Sequence, residues 1–214
     1  MTREFDVLFN QWAATYDETV VGNDLEYQDV FLYYEEILEE VASRSVGNVL
    51  EFGIGTGNLT RKLIDKGHYV VGIEPSSEMR IKAAEKLPTN VEIFDGDFIH
   101  FPLPEHPIST IASSYAFHHL TDDEKKSAIS IYASLLDKGG KIVFADTMFE
   151  TIDAHKEMIS HALKKGFYRL ANDLQSEYYT THDVLREMLL EHDFVVRFMQ
   201  MNDFVWVMDA IKIR

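Results

Sequence analysis

Val49-Leu50-Glu51-Phe52-Gly53-Ile54-Gly55-Thr56-Gly57-Asn58 is the stretch that decides the fold of this chain. A strand-like run carrying one acidic residue, Glu51, leads into glycines at alternate positions. A helical pattern follows at once, with Leu59, Leu63 and Ile64 on one face. Glycine at every second position lets the backbone turn sharply and lets a ligand lie directly against the main chain. The turn also points the free N–H groups of a helix N-terminus at that ligand. The plainer reading, an ordinary strand-to-helix turn, has to be decided by the rest of the chain.

Working outward, strand and helix alternate. A strand over 48–52 is followed by a helix over 58–66 that closes at Gly67, and a strand over 68–74 by a helix that Ser76 caps and that stops before Pro88. A third strand covers 91–95. After a loop holding Pro102, Pro104 and Pro107, a fourth runs from Ile108 to Ser114. Thr121-Asp122-Asp123-Glu124 is a capping box opening a helix to about Leu136, and Gly139-Gly140 leads into a fifth strand, Lys141–Asp146. Such alternation predicts right-handed crossovers and a parallel sheet covered on both faces. Upstream, 28–44 reads as one helix with Val30, Phe31, Tyr34, Ile37, Leu38 and Val41 on its apolar stripe. Downstream, helices are expected over 151–166 and from Thr181 to about His192. Two β-rich runs, Phe194–Met201 and Phe204–Ile213, are separated only by Asn202-Asp203. A connection that short forces an antiparallel hairpin.

The glycine spacing narrows the ligand. A dinucleotide fingerprint has G-x-G-x-x-G. Here the pattern is E-x-G-x-G-x-G, with Asn58 where the other spacing continues. It resembles motif I of the class I S-adenosylmethionine (SAM) dependent methyltransferases, and the likeness extends over roughly residues 48–213. The resemblance implies an α/β, Rossmann-like fold: a seven-stranded, mostly parallel sheet of order 3-2-1-4-5-7-6 ending in the antiparallel hairpin, with a helical lid. It implies one domain over 1–214, divided into a helical cap (1–44), a SAM-binding half (48–146), a lid insertion (147–180) and a C-terminal helix and hairpin (181–214).

Glu74 ends the second strand about 20 positions after the loop, where a carboxylate can accept hydrogen bonds from ribose hydroxyls. The resemblance further implies that Glu51, Gly53, Gly55 and Gly57 cradle the methionine end of SAM. Asp97 would accept from the adenine amino group, with Asp95 as competitor, and the following N–H, that of Phe98, would point at the ring. Ser114 and the run Tyr115-Ala116-Phe117-His118-His119-Leu120 would border the transferable methyl group. Either His118 or His119 could serve as a general base, since imidazole titrates near neutrality; bracing the loop or capping the helix at Thr121 is the plainer role for each. Phe9, Trp12 and Tyr16-Asp17 look like the family's N-terminal element that folds over the cofactor, so Tyr16 joins the candidate contacts. Phe167, Tyr168, Arg169, Tyr178 and Tyr179 are expected on the acceptor side.

Composition sets the outer limits. The chain has 214 residues, 46% apolar and 26% charged, and a net charge of −16. That charge disfavours a nucleic-acid partner, whose phosphates need Lys and Arg. There is no cysteine, hence no disulfide, thiolate zinc site or cysteine nucleophile. No apolar run is long enough for a membrane span and no secretory signal is visible, so a cytoplasmic location is expected. No metal is expected either: His118 and His119 are adjacent and would face apart in a helix or strand, and His155 and His161 lack the i, i+4 spacing. The expected activity is methyl transfer from SAM to a small-molecule acceptor, leaving S-adenosylhomocysteine (SAH). A SAM-binding sensor without transfer, an RNA methyltransferase and a nicotinamide oxidoreductase are the alternatives. Sequence leaves the oligomeric state open.

Overall fold

A computed structural model describes Asn10 and residues 12–214. Phe9, a candidate for the N-terminal element, lies outside the described residues. One seven-stranded sheet forms the centre: β1 (Val49–Phe52), β2 (Val70–Ile73), β3 (Glu92–Phe94), β4 (Thr110–Ser114), β5 (Lys141–Thr147), β6 (Phe194–Gln200) and β7 (Val205–Lys212). Its order is β3-β2-β1-β4-β5-β7-β6, as the resemblance implied. β1 through β5 pair in parallel, and β7 runs antiparallel between β5 and β6. Phe52 stands opposite both Ile73 and Ser113, so β1, β2 and β4 end level with one another. The loops after those three ends therefore meet over one crevice, on either side of the point where strand order reverses.

The helices are α1 (Tyr34–Arg44), α2 (Asn58–Asp65), α3 (Ser77–Lys86), α4 (Asp122–Leu135), α5 (Ile152–Lys165), α6 (Tyr168–Ser176) and α7 (His182–Glu191). Alternate strand residues feed two cores, as a sheet covered on both faces requires. Leu50, Phe52, Ile111 and Phe144 pack with Ile129 and Tyr132 of α4 and Leu185 and Leu189 of α7. On the other face Val49, Ala112 and Val143 pack with Leu38 and Val41 of α1, Leu63 of α2 and Leu170 and Leu174 of α6. Local signals hold where they were strongest. The Thr121 hydroxyl accepts from Glu124 N, and the Glu124 carboxylate accepts from Thr121 N, completing the capping box. Ser76 Oγ accepts from Met79 N at the start of α3. Among the described residues no helix is long and apolar enough to cross a membrane.

Two expectations need correction. The helix proposed from residue 28 begins only at Tyr34, because Tyr33 takes a left-handed conformation (φ 64°). The cause lies far away in sequence. Asn202, in the β6–β7 turn, donates through Nδ2 to the carbonyls of Val30 (3.1 Å) and Leu32 (2.8 Å), which a helix would have used. Its Oδ1 accepts from the amides of Phe204 and Val205, so the same side chain orders the hairpin turn. Second, α6 was not foreseen. It covers much of the interval between Gly166 and Thr181 and packs Leu170, Ala171 and Leu174 into the core shared with α1 and α2.

Candidate active site

Glu74 organises the crevice from beneath. Only 4% exposed, it accepts from Gly55 N through Oε2 (2.9 Å) and from Ser76 N through Oε1 (2.8 Å), tying the glycine loop to the loop after β2. Gly53 turns with φ 64°, and a Cβ there would sit 2.8 Å from the Ala116 Cβ. The loop must be bare at that point because the loop after β4 presses against it. Gly57, expected among the cofactor contacts, is held bare by packing. It lies against Leu87, 2.9 Å from where its own Cβ would be, and lets α2 approach the end of α3. Glu51, expected at the methionine end, is buried and lines neither chamber described below; burial pushes its carboxyl up to about 8, with the charge of Glu74 adding to the rise.

Two chambers open above the strand ends. The first is narrow, about 50 Å³, and is lined by Gly53, Gly55, Glu74, Met79, Asp97, Phe98 and Ser114, among others. Asp97 both lines it and orders its own turn, since Oδ1 accepts from Ile99 N and His100 N at 2.8 Å. Asp95 does not line it and pairs instead with Arg80. The second chamber is roomier, about 280 Å³, and is walled by Trp12, Tyr27, Phe31, Leu170, Leu174 and Tyr179 among others. Tyr16, Tyr115 and His119 line both, and so mark the junction.

The N-terminal segment is latched over the glycine loop. Asp17 Oδ1 accepts from Thr56 Oγ1 (2.7 Å) and Asn58 Nδ2 (3.2 Å), and Asp17 also pairs with Lys86. Burial would raise the Asp17 carboxyl, but Lys86, Thr56 and Asn58 together hold it below its ordinary value. The neighbouring Tyr16 hydroxyl is pushed up to about 12 by burial, so it stays a neutral donor. On the far side the aromatic expectations divide. Arg169 and Tyr179 line the second chamber, whereas Phe167, Tyr168 and Tyr178 do not; Tyr168 is 70% exposed. Arg169 is already committed to Asp24 (2.8 Å) and Glu26 (3.1 Å).

The histidine pair departs most from expectation. Phe117–His119 form a 3-10 turn, and the two imidazole rings lie with centroids 4.1 Å apart instead of facing away from each other. His118 Nδ1–H donates to Asp146 Oδ1 (2.5 Å), because a carboxylate can only accept, and His118 N donates to Asp146 Oδ2 (2.8 Å). His118 Nε2 then faces Glu177 Oε2 at 3.4 Å, and Glu177 also receives the Tyr179 hydroxyl (2.5 Å). Burial pulls His118 down, but Asp146 and Glu177 outweigh it and hold the imidazole above its ordinary value. His119 moves the other way: burial and the neighbouring His118 and Lys125 charges keep it well below, as a neutral ring.

Asp146 and Glu177 were not singled out from sequence, and Tyr115 was named only within the run expected to border the methyl group. Asp146 sits near the carboxyl end of β5, one strand beyond the switch in order, which was a usable signal. Glu177 follows an unforeseen helix and had none. Tyr115 combines a left-handed backbone (φ 53°) with a buried hydroxyl that has no hydrogen-bond partner among the described residues. Both are uncommon for a non-glycine residue in a folded chain and concentrate at functional sites.

Known proteins share both the sequence and the fold. A family model described as a methyltransferase domain matches residues 49–140. A protein of Geobacillus thermodenitrificans described as an uncharacterized methyltransferase is 57% identical over 212 residues, 99% of each chain. One of Bacillus cereus with the same description is 55% identical over 99% of this chain and all of its own. Among solved structures, magnesium protoporphyrin IX methyltransferase from Synechocystis PCC 6803, with bound SAH, superposes with a TM-score of 0.71 at 16% identity, covering 96% of this chain and 98% of its own. The DhpI–SAM–HEP complex gives 0.69 at 19%, covering 95% and 94%. At those identities the structures speak for the fold, and the full-length relatives speak for the family. This chain belongs to the class I SAM-dependent methyltransferases.

Proposed function

We propose that the narrow chamber binds SAM, that the wider one binds a small-molecule acceptor, and that a methyl group passes between them at their junction. The observation that carries this reading is the sharing of Tyr16, Tyr115 and His119 by the two chambers. Gly53 and Gly55 offer bare main chain to the methionine end, and Glu74 faces the ribose. Asp97 and Phe98 meet the adenine, while Ser114 and Tyr16 stand beside the sulfonium. The acceptor's nucleophile bonds to the methyl carbon as the sulfur–methyl bond breaks, so cationic SAM becomes neutral SAH. That loss of charge favours a water-poor site, and holding the two reactants in line contributes on the order of 7–11 kcal/mol. Residues 1–44 act as the cap and 147–180 as the lid. Tyr16 lines the narrow chamber and Asp17 ties the same segment to Thr56 and Asn58, so this segment forms one wall of the SAM site. His118 and His119 stand on the acceptor side, where the nucleophile must shed its proton. The absence of cysteine fits work in the cytoplasm.

Protein incubated with methyl-labelled SAM and fractionated metabolites should release SAH together with a labelled small product. SAM binding with no SAH formed from any fraction would make the protein a sensor.

A further inference from the structure

We propose that His118, His119 and Glu177 form a binding site for one divalent transition-metal cation on the wall of the acceptor chamber. The binding claim stands by itself; its catalytic consequence rests on the methyltransferase reading. One ligand atom from each of the three side chains lies within 4.8 Å of the other two. His118 Nε2 is 3.4 Å from Glu177 Oε2, and His119 Nδ1 is 4.0 Å from Oε1. Bonds of ~2.0–2.2 Å to a common ion place ligand atoms ~3–3.5 Å apart, so closing on a cation takes side-chain movements of about an ångström or less.

The surroundings are those of a prepared site. Asp146 holds the His118 Nδ1 proton, which fixes the tautomer and leaves Nε2 directed at Glu177, the arrangement that metal-bound imidazoles use. Tyr179 holds Glu177 Oε2 and leaves Oε1 toward His119. The two segments that bring the ligands together are tied by main chain. Tyr178 N donates to His118 O (3.0 Å), and Lys125 Nζ donates to the carbonyls of Leu120 and Tyr178. Lys125, 1% exposed, spends its charge on those carbonyls and on Asp122 (3.5 Å), while Asp146 and Glu177 remain two buried or nearly buried carboxylates beside the imidazoles. Two imidazoles with one carboxylate suit Zn(II), Co(II), Fe(II), Ni(II) or Mn(II) better than Ca(II) or Mg(II).

All three ligands line the wider chamber, so the ion's remaining positions face the acceptor. A cation there binds an acceptor hydroxyl and lowers its pKa. The hydroxyl proton leaves to water, the oxygen takes the methyl carbon, and sulfur keeps the electron pair of the broken bond. The acceptor class this points to is a hydroxyl-bearing small molecule able to coordinate a metal.

The experiment titrates Co(II) into the full-length, chelator-treated protein without SAM, reading visible d–d absorption and calorimetric heat. One saturable equivalent is expected. Glu177→Gln and His119→Asn, each checked for folding by circular dichroism, should bind at least tenfold more weakly. His100→Ala, whose imidazole is 81% exposed, should bind as wild type does. No saturable binding to the wild-type protein, or equal affinity in both cluster variants, overturns the site. SAH titrated into the metal-free protein reads the other chamber separately, so loss of the metal site and loss of the methyltransferase reading give different results.

Discussion

The two sides of the crevice are built from different material. On the side proposed for the cofactor, Gly53, Gly55 and Glu74 lie in two neighbouring loops, and the Glu74 carboxylate ties the glycine loop's main chain to the loop after β2. On the side proposed for the acceptor, His118, Asp146 and Glu177 come from widely separated stretches and meet through side chains. A main-chain site is written into alternate glycines and a strand end. A side-chain site exists only once distant segments have packed. The first kind tolerates exchange of neighbouring side chains and fails when a Cβ is added; the second fails atom by atom.

That contrast sets the order of expected effects. Gly53→Val should be the most damaging to SAM binding. It places a branched side chain at φ 64° against Ala116, a strain of ~1–3 kcal/mol before any collision with the ligand, and affinity should fall by about 100-fold or more in a calorimetric titration. Glu74→Ala removes a charged hydrogen-bond acceptor of ~1.5–3 kcal/mol, and SAM affinity should fall about 10- to 100-fold. Asp146→Asn should reverse the pattern, with SAM affinity kept and kcat lowered about 10- to 100-fold through misoriented His118. If that variant instead lost SAM binding while keeping kcat, the division between the two sides would be wrong.

Glu51 sharpens the comparison through stability. Its folded pKa, about 8, lies above the ordinary 4.5, so the folded chain holds a proton that the unfolded chain releases. The folded state binds more protons over that interval, and stability from this group therefore falls as pH rises from about 4.5 to about 8. Glu51→Gln abolishes the change. Measured without ligand, the Tm of the variant relative to wild type should be higher at pH 9 than at pH 5; a constant difference would mean Glu51 is ionised in the fold. The smallest effect belongs to Tyr115→Phe. Removing a buried hydroxyl with no partner should leave Tm unchanged or raise stability by about 1 kcal/mol, while the acceptor's KM rises.

Sequence legibility follows the same divide. The glycine loop, the Thr121 capping box and the short β6–β7 connection are local instructions, and the sheet order followed from them with the family resemblance. Glu74, Asp97, Phe98 and Ser114, named from a strand end and from the resemblance, line the narrow chamber together. What escaped depended on distance. Asn202 takes the carbonyls of Val30 and Leu32 and so delays α1, and nothing near residue 30 encodes that. The adjacent histidines face each other because their segment winds as a 3-10 turn, whereas divergent side chains would have required a helix or strand. Gly57 also packs against Leu87, thirty positions on, a contact its neighbours in sequence do not encode.

The most direct measurement is calorimetric titration of SAH into metal-free wild-type protein, Glu74→Ala and Asp146→Asn side by side. One site is expected in the wild-type protein, with the same affinity in Asp146→Asn and at least tenfold weaker binding in Glu74→Ala. Equal affinity in Glu74→Ala and wild type would contradict this expectation, because the adenosyl ligand would then sit somewhere other than on the carboxylate beneath the glycine loop.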